Sequence, residues 1–180
     1  MPKRLLLLLP LLLVSIIIGL LFSRLYQSSL YQETSQLRLS IPQFYLTKLE
    51  TPQQKLTNAD LPQNQIYLLN IWGSWCRYCR EEMPLLVKIS QQYHLPIIGV
   101  NYLDQRQSAL QSLKELGNPY QFNLFDNEGN LTSHLGLNGA PFTFLVDKKG
   151  IIRYYYPEGK LTETIWQKHF VPKLQQLLGE

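Results

Sequence analysis

The chain offers little to a metal ion. Its 180 residues include two cysteines and three histidines. His94, His134 and His169 show no ligand spacing that would complete a zinc site around one cysteine pair, which ordinarily needs a second Cys or His pair. An excess of one charge is also missing. The net charge is +4, but Lys3, Arg4 and Arg24 flank an apolar run near the start, leaving 14 basic against 13 acidic residues beyond them. That balance holds no basic patch, and nucleic acid is excluded as a partner. Internal repeats are absent too, and the only low-complexity stretch is the Leu-rich run itself.

What is present begins with that run. Leu5 to Phe22, "LLLLLPLLLVSIIIGLLF", is 18 uncharged residues, enough to span a bilayer core near the lower limit. Lys3 and Arg4 before it predict a cytoplasmic start with the rest of the chain exported. The run is followed by "SRLYQSSLYQ" with no Ala-x-Ala pattern, which favours an uncleaved anchor over a cleaved signal peptide. Residues 1–24 are thus expected to form a transmembrane helix and 25–38, rich in Ser and Gln, a tether. Residues 39–180 hold the folded domain, its compact part starting near Ile41.

Within that domain "YLLNIW" (67–72) and "PIIGVNY" (96–102) are almost continuously apolar, as strands covered on both faces are. Met83, Leu86, Val87 and Tyr93 follow at helical spacing, with Pro84 as an expected kink. Asp104 with Gln107 reads as an N-cap and its partner opening a helix through Leu110, Leu113 and Leu116. "PFTFLVDKKGIIRYYYP" reads as two strands around a turn at Asp147–Gly150. Thr162 caps a last helix carrying Trp166, Phe170 and Leu174, which Pro172 should kink or break. The order predicts an α/β fold: a mixed central sheet, parallel between the first two strands and antiparallel in the last two, flanked by helices.

Cys76 and Cys79 lie where the first strand gives way to its helix, in "NIWGSWCRYCREEMP" (70–84). Unpaired N–H groups and the helix dipole at a helix start favour negative charge, so Cys76 is the thiol easier to ionise. Cys79, one turn on, is within bonding reach and more sheltered. The pair can exchange disulfides: Cys76 attacks, a mixed disulfide forms, and Cys79 resolves it. Three other readings compete. A structural bridge closing so short a loop is a poor staple, zinc lacks ligands, and a single sensor cysteine leaves the second unexplained. Trp72 reads as core, while Trp75 is placed to form an apolar surface beside the thiol. Pro141, after Ala140 in "GAPFTF", is a candidate cis residue.

"LLN", "WC", "GVNY", "LKELGNPY", "LFD", "GAP", "TFL" and "GIIRY" occur in this order from about Ile41 to the last helix. The pattern resembles the membrane-anchored thioredoxin-like proteins called DsbE or CcmG, of bacterial cytochrome c maturation. The resemblance implies a thioredoxin fold anchored in the inner membrane and facing the periplasm. In it Cys76 attacks, Cys79 resolves and Pro141 is cis beside them. It implies as client a disulfide in apocytochrome c or in a thiol protein of the maturation complex, with electrons from a DsbD- or CcdA-type membrane reductase. No haem, metal or flavin is expected. The alternatives are a reductase for another client, such as a copper centre or the spore coat, and a non-enzymatic module that holds apocytochrome.

The chain departs from the resembled pattern beside the cysteines. Arg77 and Tyr78 stand where that family commonly has Pro and Thr, and Phe142 where an acid follows the proline. Arg77 reads equally as a cation stabilising the Cys76 thiolate and as a solvated helix-end side chain. Asn70 occupies a position where thioredoxins proper place a buried Asp, which removes a proton acceptor. Glu81 and Glu82, the nearest acids after Cys79, read as a solvated helix face.

Overall fold

The computed structural model describes residues 12–21, 39–156 and 159–180. The chain divides into two compact units, Met1–Gln36 and Leu37–Glu180. In the first, residues 12–21 are helical (α1). Among the described residues no helix is long and apolar enough to cross a membrane. The anchor expected over 1–24 otherwise lies outside the described residues, as does the tether over 25–38.

The second unit is built on one eight-stranded sheet. Its strands are β1 (Leu39–Ser40), β2 (Tyr45–Lys48), β3 (Lys55–Thr57), β4 (Tyr67–Trp72), β5 (Ile97–Tyr102), β6 (Phe122–Asp126), β7 (Phe142–Val146) and β8 (Ile151–Tyr155). They lie in the order β1-β8-β7-β4-β5-β6-β2-β3. β4 runs parallel to β5, and β5 to β6. β7 pairs antiparallel with β4 on one side and β8 on the other. The helices are α2 (Arg77–Tyr93), α3 (Arg106–Leu116), α4 (Asn130–His134), α5 (Glu163–Ile165) and α6 (Val171–Leu178), the last two joined by a wider π-type turn, Trp166–Phe170.

β4 shows why the sheet is central. All six of its residues are buried, and because successive side chains point to opposite faces, they feed two cores. Leu68 and Trp72 join Met83, Leu86 and Ile89 of α2 with Trp166, Phe170 and Leu174 of the C-terminal helices. Tyr67, Leu69 and Ile71 join Val100, Leu124 and Phe144 on the far face. Each side chain fully buried there, Leu86 for example, contributes roughly 1.5–3 kcal/mol of transfer free energy.

Several elements differ from the sequence reading. The first described strand, β1, lies two residues before Ile41. β2, β3, β6 and α4 were not foreseen. β2 and β3 form a short antiparallel hairpin on the sheet edge beside β6. Arg106 holds it there by donating to the Lys48 and Leu49 carbonyls and to Thr47 Oγ1, with its guanidinium 4.1 Å from the centre of the Phe125 ring. α2 continues through Pro84, since α2 is held along its length by the buried face that includes Met83 and Leu86. Pro172 sits in the first turn of α6, where its missing N–H costs nothing; the preceding π-type turn accommodates it. Thr162 does cap, its hydroxyl accepting from Ile165 N–H. Asp104 does not: α3 starts after Gln105, which makes no side-chain cap bond among the described residues.

Candidate active site

Cys76 is the N-cap of the 17-residue α2, and Cys79 N–H donates to Cys76 Sγ at 3.1 Å. The backbone of the helix start thus already points at that sulfur. The two cysteines form a disulfide with Cα atoms 5.3 Å apart. Cys79 is 1% exposed and Cys76 5%, so the sulfur at the helix mouth is the one that an incoming group meets first. A thiolate there lies at the positive end of the helix and accepts a hydrogen bond, both of which lower a thiol's pKa.

Two exposed aromatic residues flank Cys76 in the chain. The loop from β4 to α2 spans only Gly73 to Cys76, closed by Cys76 N–H donating to the Gly73 carbonyl. Trp75 is 53% and Tyr78 58% exposed. A Cβ on Gly73 would come within 2.5 Å of Trp75 Nε1, so glycine at that position lets the indole fold back over the loop. The indole donates to the Tyr102 carbonyl at 3.1 Å. The Ala140–Pro141 peptide is cis and leads straight into β7, which pairs with β4.

Arg77 is exposed, and its Nε donates to Glu81 Oε1 at 2.9 Å. Glu81 also binds Lys160 Nζ, whose ammonium lies 5.6 Å from the centre of the Tyr78 ring. The two cations hold the Glu81 carboxyl below its usual range. Of the two readings of Arg77, the surface pair one turn along α2 is the one its geometry supports. Phe142 is half-buried and packs into the core on the far face of the sheet.

Glu82 corrects the sequence reading. It is 2% exposed, with Oε1 accepting from Asn70 Nδ2 at 3.0 Å and Oε2 from Leu161 N–H at 2.7 Å. Burial pushes its pKa up to about 7 against the two hydrogen bonds, which pull it down. Asn70, fully buried, also donates to Thr143 Oγ1 at 3.0 Å and accepts from Tyr120 Oη at 2.7 Å. Burial, and then the Glu82 charge, push the Tyr120 hydroxyl well above its ordinary pKa. Asn70 therefore has a firm job, orienting the buried acid that stands one turn past Cys79. The signal was available: Cys79, Glu82 and Leu86 fall on one helix face with Met83, the face that carries the apolar period. Among the described residues no group of three or more His, Cys, Asp or Glu could hold a metal.

Residues 38–169 match the Redoxin family. The chain is 39% identical over 175 residues to the thiol:disulfide interchange protein DsbE of Escherichia coli K12, covering 94% of each chain. The chain belongs to the DsbE family. It is 38% identical over 178 residues to DsbE of Pseudomonas aeruginosa, covering 99% of this chain and 97% of that one. The solved thio-disulfide isomerase of Thermus thermophilus superposes with a TM-score of 0.62 at 20% identity, over 79% of this chain and 96% of that one, which shows the thioredoxin-like fold alone. Membership of this family makes the chain a thiol:disulfide oxidoreductase.

Proposed function

We propose that this DsbE-family protein reduces disulfides in the periplasm, tethered to the inner membrane by residues 1–24, and that its client is apocytochrome c or a thiol protein of the maturation complex. The observation that carries the chemistry is the N-cap position of Cys76 Sγ, with Cys79 N–H on it. In the reduced protein the Cys76 thiolate attacks one sulfur of the client disulfide, and the other leaves as a thiolate that takes up a proton. Cys79 loses its proton, attacks Cys76 Sγ and expels the second client thiol. The client gains two electrons and the pair becomes the disulfide. Glu82, with a pKa near neutrality and one turn beyond Cys79, is suited to receive the Cys79 proton. Exposed Trp75 and Tyr78 give the client an apolar rim, while cis Pro141, itself buried, fixes the turn by which half-buried Ala140 enters β7.

Electrons return from a membrane dithiol reductase of the DsbD or CcdA type, and no bound cofactor is required. Arg77, Tyr78 and Phe142, which replace the family's commoner residues, favour a second client choice on the same chemistry, such as a copper-centre maturation protein. Formation of holocytochrome c in cells lacking the native gene, under oxidising growth, tests the first choice. Cys76→Ser and Cys79→Ser variants should abolish it, whereas full rescue by either would refute it.

A further inference from the structure

We propose that Asp104 is a positioning residue for Cys76, a clamp across the β4–α2 loop that holds the sulfur at the mouth of α2. The inference rests on the reading of Cys76 as the attacking thiol. Four donors converge on this one carboxylate. Oδ2 accepts from Ser74 N–H at 2.6 Å and Asn101 Nδ2 at 2.9 Å, and Oδ1 from Ser74 Oγ at 2.7 Å and Gln105 N–H at 2.7 Å. Ser74 is the second residue before Cys76, in a connection of four residues. The clamp thus grips the middle of the loop while α2 fixes its far end.

Three features show what the molecule gives up for this grip. Asp104 stands where it would cap α3, yet α3 starts without a side-chain cap among the described residues. Leu103 sits at φ +44°, a left-handed conformation costly for a branched, non-glycine residue. Asn101 is fully buried, and its Oδ1 has no hydrogen-bond partner among the described residues. Turning the Asn101 amide over would set that oxygen against Asp104 Oδ2, so the amide stays with its nitrogen on the clamp. Local rules broken together at one place mark a site where function overrides local stability.

The grip is braced from behind. Leu103 N–H donates to the Asp126 carbonyl of β6 at 3.1 Å, and the Tyr102 carbonyl receives the Trp75 indole. Asp126 is itself fixed by Leu131 N–H, Thr132 N–H and the Thr132 hydroxyl. Ser74 and Trp75 are therefore held by Tyr102 and Asp104, and these by the sheet. Loosening the clamp frees Cys76 from the helix-start N–H groups that stabilise its thiolate. The folded dithiol form then loses stability relative to the disulfide.

The test uses the full-length chain in detergent, with two readouts: the equilibrium constant against a glutathione couple, and the pH midpoint of Cys76 alkylation in the reduced protein. Asp104→Ala should shift the equilibrium about tenfold toward the disulfide, about 30 mV more reducing, and raise the alkylation midpoint by about one pH unit. Asp104→Asn should follow it, because in either orientation its amide nitrogen faces a backbone N–H. Ser74→Ala, which removes one of the four bonds and threatens no fold, should shift both readouts in the same direction by less. Arg106→Ala, which loosens the edge hairpin, should lower the unfolding temperature and move neither readout. Unchanged readouts in the Asp104 and Ser74 variants overturn the proposal. A shift toward the dithiol also overturns it, since the carboxylate would then act through its charge. Should wild-type Cys76 prove the slower thiol to alkylate, the reading of Cys76 itself fails, a result separate from either.

Discussion

Glu82 is a carboxyl buried among donors, and its two hydrogen bonds do not repay the loss of water. Its folded pKa of about 7 lies above the ordinary 4.5, so the folded protein binds more protons than the unfolded chain between these values. Stability from this group is complete below about pH 4.5 and declines as pH rises through 7. The loss is on the order of 3 kcal/mol, the pKa difference converted at 1.36 kcal/mol per unit. Urea unfolding from pH 4.5 to 7.5 should show this decline. Glu82→Gln should flatten it, because the amide does not titrate. Glu82→Gln should also lower stability at pH 4.5, since Asn70 Nδ2 and Leu161 N–H both need an acceptor and the amide supplies one oxygen.

At the scale of elements, Gly99 shows how tightly the sheet is keyed. A Cβ at Gly99 would come within 1.9 Å of Asn123 Oδ1 and 3.0 Å of Trp72 Nε1, and these two atoms are hydrogen-bonded to each other at 2.9 Å. Gly99→Ala should break that bond between β4 and β6 across β5. The expected cost is about 2 kcal/mol, that of a buried polar pair forced apart, read as a lowered urea midpoint. β4, β5 and the β7–β8 hairpin were legible in the sequence because they are long apolar runs, or runs joined by the Asp147–Gly150 turn. β2 and β3 were not, because "YLTK" and "KLT" are short, half-exposed edge segments held by Arg106 from α3, a contact no local pattern announces. β6 hid for another reason. Asn123 and Asp126 interrupt its apolar character, and both are buried because they are satisfied, Asn123 by Trp72 and Glu50 far away in sequence and Asp126 by Leu131 and Thr132 in the following turn. Cys76 and Cys79 could be placed from spacing alone, whereas Asp104 reads locally as a cap although two of its four hydrogen bonds come from Ser74, 30 residues earlier, which no local pattern announces.

For the whole molecule, the disulfide is chemistry more than scaffold. Closing a loop of so few residues contributes about 2 kcal/mol at most by the chain-entropy relation. The apolar cores on both faces of the sheet are built from residues all along the second unit, of which the two cysteines are a small part. Urea unfolding of the oxidised and reduced proteins at pH 7 should therefore differ by no more than that amount. A much larger gap would mean that the bridge serves as a staple. The central claim is that Cys76 attacks client disulfides and Cys79 releases them. Its most direct test is a full-length Cys79→Ala variant produced in cells making c-type cytochromes, with mixed disulfides identified by mass spectrometry. A disulfide between Cys76 and a haem-binding cysteine of apocytochrome c, or a cysteine of its thiol partner, is the predicted result. Recovery of the variant with Cys76 unlinked, while the same cells accumulate oxidised apocytochrome, would contradict the account.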